Sequence, residues 1–341
     1  MKPRIAITMG DPAGVGPEII IDALSQKETY DKCNPLVTGD ATIIAQCAKA
    51  LDSQLIINAV SNVEEAKFEY GCIDVLDLKC VDTNSFQPGV VQAQCGHAAF
   101  ISVIKAIELA MDKQVDATVT APLNKEALHK GGHLFDGHTE IYAQFTGTKK
   151  YAMLLADEYL RIIHVSTHVS LREACDRVKK ARIIEVAELL NDACCQFGIK
   201  KPHIGISGLN PHASDGGLFG WEEEKEIEPA VRELRERGYN ADGPIAPDTL
   251  FAKARCGQFD GCVAMYHDQG HIPFKVAGFE WNRDTGRMTG AKGVNITLGL
   301  PIIRVSVDHG TAFDVAWKGV ASAEGMLLAI DYATRMANGK I

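Results

Sequence analysis

Three histidines occupy equivalent places in the chain. His168 follows the apolar run Ile162–Ser166, which reads as a strand. His212 follows the strand His203–Gly208 through Leu209-Asn210-Pro211, and His267 comes directly after Gly261–Tyr266. Each imidazole therefore lies just beyond the C-terminal end of an expected strand, the edge at which open α/β sheets bind ligands. Three imidazoles suit Zn²⁺, Co²⁺, Ni²⁺ or Fe²⁺, with a coordination position left for substrate. A single histidine at a strand end is ordinarily a hydrogen-bonded structural residue. Three in one topological position favour a metal, provided the strands are parallel and the side chains converge. Asp268, next to His267, reads as a partner of that imidazole or as a proton acceptor, and Asp268 with Gln269 also suits a helix cap.

Two glycine-containing loops could hold a ligand. Gly10-Asp11-Pro12-Ala13-Gly14-Val15-Gly16-Pro17-Glu18 joins a strand to a helix, where glycine allows close backbone approach and the helix start favours anions. It is neither a P-loop nor a Rossmann fingerprint, and a plain structural turn is the competing reading. Asp308-His309-Gly310-Thr311-Ala312-Phe313-Asp314 also follows a strand, and could cradle a nucleotide or form only a capped turn. Gly137-His138-Thr139-Glu140 offers an imidazole and a hydroxyl before a helix. Lys275, Asn295 and Arg304 supply the local cations and amide that would hold a phosphate or carboxylate, or they are solvated surface groups.

The elements that must position these residues alternate. Strands are expected at Ile5–Met9, Ala117–Thr120, Ile162–Ser166, His203–Gly208, Gly261–Tyr266 and Ile302–Val307. Helices are expected at Pro17–Leu24, 97–112, Ile183–Phe197, Glu222–Arg237 (a charged surface helix) and over most of 312–337. Ser170-Leu171-Arg172-Glu173 is a capping box. This alternation predicts a largely parallel α/β sheet with helices on both faces. At 341 residues the chain suits two domains or lobes. The polar stretch Glu280–Lys292, with Arg283, Asp284, Arg287 and Lys292, reads as a long surface loop.

Composition excludes some classes. A net charge of −9 gives no basic field for nucleic acid. No apolar run nears the ~18 residues that span a bilayer, and no signal peptide is expected, which points to a cytoplasmic enzyme. The ten cysteines form no CxxC pair and read as buried free thiols rather than a thiolate metal site.

Taken in order, Gly10–Glu18, Gly137–Glu140, Thr167–Arg172, Leu209–Ala213, Pro247-Asp248-Thr249, Ala264–Gly270, Gly293–Pro301 and Val307–Ala312 resemble the 4-hydroxythreonine-4-phosphate dehydrogenase family along essentially the whole chain. The resemblance implies a two-lobed α/β fold like that of isocitrate and isopropylmalate dehydrogenases, with a central cleft, assembled as a homodimer. It implies a nucleotide-binding lobe from 1–130 and 276–341, and a metal, substrate and dimerisation lobe at 131–275. It also implies a divalent metal (Zn, Co, Mn or Mg) on His168, His212 and His267, with ligands contributed across the dimer interface. Substrate contacts carry over onto His138, Thr139, Lys275, Asn295 and Arg304. NAD is expected at His309, Gly310, Thr311 and Ala312, while Asp248, Asp268 and Lys275 are the candidates for proton transfer. The implied reaction is oxidation of a four-carbon 4-phosphorylated hydroxy acid followed by loss of CO₂.

Two departures refine this. His271-Ile272-Pro273 stands where the vitamin B6 biosynthetic enzymes more often carry leucine and another apolar residue. With Thr120–Leu128 it resembles the branch acting on D-threonate or D-erythronate 4-phosphate, whose product is dihydroxyacetone phosphate. The spacer from Lys275 to Asn295 is also longer than usual. The alternatives are the 4-hydroxy-L-threonine 4-phosphate dehydrogenase of pyridoxal phosphate biosynthesis and, more remotely, a metal-dependent sugar-phosphate lyase or hydrolase without NAD.

Overall fold

The computed structural model describes residues 1–278, 281–283, 287–288 and 293–339. In chain order its strands are β1 (Arg4–Thr8), β2 (Asn34–Gly39), β3 (Ile56–Val60), β4 (Cys72–Asp77), β5 (Ala117–Thr120), β6 (Ala152–Ala156), β7 (Arg161–His164), β8 (His203–Ser207), β9 (Asn240–Ile245), β10 (Gly261–Ala264), β11 (Trp281–Asn282), β12 (Arg287–Met288), β13 (Val294–Leu298) and β14 (Ile303–Val307). The chain divides into two compact units. One takes 1–149 and 300–338, the other 150–299 with Gly339; the sequence reading places the lobe breaks at 130/131 and 275/276.

In the first unit the strand order is β3-β4-β2-β1-β5-β14, and every pairing is parallel. Ile5, Ala6 and Ile7 of β1 are fully buried, as a central parallel strand covered on both faces requires. The helix Ala93–Met111 buries Val103, Ala106 and Ile107 in a core shared with Leu36, Leu76, Leu128 and Tyr142.

In the second unit β6 pairs antiparallel with β13 and with β7, and β7-β10-β8-β9 then run parallel. Ile162, Ile163, Cys262 and Val263 are fully buried. The parallel run is the condition on which convergence of the three histidines depends: β7, β10 and β8 are adjacent, so their C-terminal ends share one edge.

Several local expectations are met closely. Ser170 Oγ accepts from the Glu173 amide at 3.2 Å, opening the helix Leu171–Asp176. Others need correction. Residues 312–323 are turns rather than helix, because Ala312 (φ 43°) and Trp317 (φ 62°) adopt left-handed backbone, and the helix is Glu324–Asn338. The stretch expected as one surface helix at 222–237 begins as a π-helical turn, Glu223–Ile227, with Glu223 and Ile227 buried. Within the expected loop Glu280–Lys292, β11 and β12 pair antiparallel. Its Asp284 and Lys292 lie outside the described residues. Among the described residues no helix is long and apolar enough to cross a membrane. All ten cysteines are free, and Cys33, Cys47, Cys72, Cys95, Cys194 and Cys262 are buried.

Candidate active site

The second unit's parallel edge carries the histidines. The three strand ends are tied to one another by backbone and side-chain bonds. Val165 N–H donates to Ala264 O at 2.9 Å, and Ser166 Oγ donates to Met265 O at 3.3 Å. Gln269, nearly buried, accepts from Met265 N at 2.7 Å and donates to Gly208 O at 2.8 Å, so it bolts the end of β10 to the end of β8.

His168 and His267 come together, with ring centroids 5.8 Å apart. Both line one cavity with Thr167, Ser170, Tyr266 and Asp268. Asp268 and Asp248 line an adjoining cavity that shares Tyr266 and Ile272. His267 opens the helix His267–Gly278, and its Nδ1 lies 2.7 Å from Asp268 Oδ1. A carboxylate only accepts, so Nδ1 carries a proton, and in the neutral ring the lone pair is then on Nε2, the tautomer a metal ligand needs. Asp268 thus restrains one edge of the ring.

His212 sits in a run of left-handed residues, His212 to Asp215, all with positive φ. Its Nδ1 is 3.1 Å from Asp215 Oδ2, so it too has a carboxylate fixing the same tautomer. The loop before it hangs on buried Glu223, whose Oε1 accepts from Leu209 N at 2.8 Å and Asn210 N at 2.7 Å. Glu223 was not singled out from sequence, since a glutamate in a run of glutamates reads as solvated. Among the described residues no group of three His, Cys, Asp or Glu side chains is placed to share one ion, so His212 does not complete a triad with His168 and His267 within the chain.

Below this edge His164, the last residue of β7, is buried. Burial first, and His271 next, push its imidazole down to about 3, so it is neutral. Its Nε2 points where a Cβ on Gly270 would stand, and Ile162 Cγ2 would lie 2.8 Å from the same atom. Glycine is therefore required at 270. Gly270→Ala is expected to cost about 1–3 kcal/mol by overpacking, seen as a lower urea midpoint. An unchanged midpoint would show that His164 moves aside freely.

The first unit holds a second cluster on the paired strands β5 and β14. Arg304 on β14 is registered opposite Thr118 of β5 and donates to Thr120 Oγ1 at 2.8 Å. Its guanidinium carbon lies 5.6 Å from the Tyr142 ring centroid, a cation–π arrangement. Tyr142 OH donates to Thr118 Oγ1 at 3.0 Å, and Thr118 donates on to Ile303 O. Arg304 is buried, and that burial brings it down to about 10. His138, which with Thr139 opens the helix His138–Phe145, is held well below its usual range by burial and then by the charge of Arg304. His138 is therefore neutral, and its Nε2 is buried with no hydrogen-bond partner among the described residues. A buried guanidinium beside a neutral imidazole with an unused nitrogen has the chemistry to receive an anion such as a phosphate or carboxylate. Of the other expected substrate contacts, Lys275 is half-buried in the helix His267–Gly278 and Asn295 half-buried on β13, both in the second unit.

The two glycine loops of the first unit are stitched together. Val15 N donates to Thr311 O at 3.0 Å, Trp317 Nε1 donates to Pro12 O at 3.1 Å, and Ala321 N donates to buried Glu18 at 2.9 Å. A Cβ on Gly14 would stand 2.8 Å from Thr311 O, so only glycine lets the loops meet. His309 Nδ1 donates to Gly310 O at 3.0 Å, and a Cβ on Gly310 would meet nothing within 4 Å, which leaves room beside Thr311 and Ala312.

Asp11, fully buried between these loops, accepts from Ala13 N at 2.9 Å. Burial nonetheless raises its carboxyl to about 7 from an ordinary 3.8. The folded value exceeds the unfolded one, so this group's stabilising contribution is complete below about pH 4 and is lost as pH rises towards 7. Asp11→Asn is expected to flatten that decline in a chemical-denaturation series from pH 4 to 8. A decline of the same slope in the variant would place its cause elsewhere.

Fold and site geometry together define a two-unit α/β chain with histidines gathered at one parallel edge of the second unit and a buried guanidinium–imidazole cluster in the first. The family "Pyridoxal phosphate biosynthetic protein PdxA" matches residues 31–333, and the chain belongs to that family. The D-threonate 4-phosphate dehydrogenase of Pectobacterium atrosepticum is 44% identical over 99% of this chain and 100% of its own. That of Salmonella typhimurium is 45% identical over 98% of each chain. The crystal structure of 4-hydroxythreonine-4-phosphate dehydrogenase from Klebsiella pneumoniae superposes with a TM-score of 0.86 at 42% identity, covering 98% of this chain and 100% of that one. The fold and family expected from the motifs are thereby found, and the class of enzyme is an oxidoreductase.

Proposed function

We propose that this enzyme oxidises and decarboxylates D-threonate 4-phosphate, or its epimer D-erythronate 4-phosphate, using NAD⁺ and a divalent metal. The observation that carries the reading is the pair His168 and His267 at the ends of adjacent parallel strands, with Asp268 fixing the His267 tautomer. The names of the relatives from Pectobacterium and Salmonella supply the substrate.

His168 and His267 fit a divalent metal by donor type, and His267 also by tautomer. His212 fits as the third ligand if it crosses a subunit interface in a homodimer. Its side chain is exposed, and Leu218, Phe219 and Trp221 in the following loop are exposed as well. When bound, the metal acts as a Lewis acid that lowers the pKa of the substrate hydroxyl and stabilises negative charge at that oxygen. The chain's own groups do the rest. Arg304, neutral His138 and Thr139 hold an anionic group of the substrate, and Lys275 and Asn295 serve as further substrate contacts. His309, Gly310, Thr311 and Ala312 would hold NAD⁺, which would make the first unit the nucleotide lobe and the second the metal and dimerisation lobe. The C3 hydroxyl loses its proton, with Lys275, Asp268 and Asp248 as candidate acceptors, and C3 loses hydride to NAD⁺. The resulting β-keto acid breaks its C1–C2 bond, releases CO₂ and takes up a proton at C2, giving dihydroxyacetone phosphate. A cytoplasmic location accompanies this reading.

The name of the Klebsiella structure favours a second reading, 4-hydroxy-L-threonine 4-phosphate as substrate. The two differ by a hydroxyl or an ammonium at C2, a difference a buried polar site can discriminate strongly. Quantifying dihydroxyacetone phosphate with a coupled glycerol-phosphate dehydrogenase assay separates them, because the amino substrate yields an amino ketone instead. Failure to form it from either sugar acid would favour the second reading.

A further inference from the structure

His271 lies one helical turn beyond His267. Its ring stacks on the His267 ring at 3.6 Å with an interplanar angle of 9°. Its Nδ1 donates to His267 O at 3.0 Å. Beneath it, the His164 ring is 4.7 Å away and His164 is the buried end of β7. Resting on the metal reading above, the geometry points to His271, braced by His164, as the positioning residue that fixes the plane of the His267 imidazole.

The physical need is specific. Rotation about χ2 of histidine is soft, so backbone and χ1 do not fix where Nε2 aims. The Asp268 bond restrains one edge of the His267 ring, but the Asp268 side chain is 68% exposed, so water competes for that bond. The flat contact with His271 restrains the face. His271 is itself anchored twice, by its bond to the helix backbone and by the His164 ring, which sits on a central strand rather than on a loop. His271 is not a ligand to the same ion in this arrangement. The in-plane lone pairs of two nearly parallel rings run side by side and do not converge on one point.

The test uses the full-length enzyme and Co²⁺ as probe, with His271→Ala and His271→Phe. Loss of an outer partner of a metal-bound histidine typically weakens affinity roughly 10–100-fold. That loss is expected for His271→Ala, together with an altered Co²⁺ visible spectrum. His271→Phe keeps a flat ring against His267 and is expected to restore most of the affinity. A metal-free readout runs beside it: the His267 ring-proton resonances, assigned with His267→Gln, lie under the His271 ring current and are expected to shift in His271→Ala. If folded His271→Ala binds Co²⁺ with wild-type affinity and spectrum, the positioning role is overturned while the metal site stands. If the wild-type enzyme binds no Co²⁺, the metal reading has failed. The placement of His267 by His271 is then upheld by a shifted resonance and overturned by an unshifted one.

Discussion

His267→Ala is expected to lower kcat/KM by about 10³-fold or more while leaving the fold intact. Metal Lewis acidity is worth several kcal/mol of transition-state stabilisation, and each ~1.4 kcal/mol is tenfold in rate. His267 opens its helix on the ligand edge, and its side chain is 35% exposed, so truncation opens no core cavity. His203→Ala provides the contrast. His203 begins β8, at the opposite end of the same parallel strands, and pairs with Asp242 at 2.8 Å. Its loss is expected to cost some stability and leave kcat/KM near wild type. Steady-state kinetics with metal content measured on both variants check this. Equal damage from the two, or wild-type activity in His267→Ala, would remove His267 from the chemistry.

Arg304→Met is expected to move activity and stability in opposite directions. Removing one partner of a desolvated charge pair costs about 3 kcal/mol or more, so kcat/KM falls at least ~100-fold, chiefly through KM. Arg304 is 3% exposed, and taking a guanidinium out of water is itself unfavourable. A methionine of similar length removes that penalty and retains packing against Tyr142 and Thr120. The melting temperature is therefore expected to hold or rise. Arg304→Lys keeps the charge but loses the planar fork, and falls between the two. A structural role would show the reverse pattern, with lower melting temperature and unchanged KM.

The sequence and the structure agree best where a single physical rule decides the outcome. Buried parallel strands such as Ala117–Thr120 and His203–Ser207 read as short apolar runs because both faces are covered. The placement of His168, His212 and His267 beyond three strand ends was legible for the same reason. That His168 and His267 meet while His212 stays apart was not, because strand order β7-β10-β8 is set by long-range crossovers that no local pattern encodes. The Arg304 cluster was half legible. Thr118 with Thr120, and Arg304 with Ser306, alternate polar with apolar along β5 and β14, a period of two that marks one shared face. Tyr142 was invisible among ordinary helix residues. Residues 312–323 were misread as helix because left-handed backbone at Ala312 and Trp317 leaves no mark in side-chain hydrophobicity.

The central claim is tested most directly by NADH formation at 340 nm, with purified enzyme, a divalent metal and three substrates side by side: D-threonate 4-phosphate, D-erythronate 4-phosphate and 4-hydroxy-L-threonine 4-phosphate. The proposed function predicts metal-dependent NADH formation that is fastest with one of the two sugar acids. Preference for the amino acid would contradict the substrate assignment, and no NADH from any of them in a folded, metal-loaded sample would contradict the dehydrogenase reading itself.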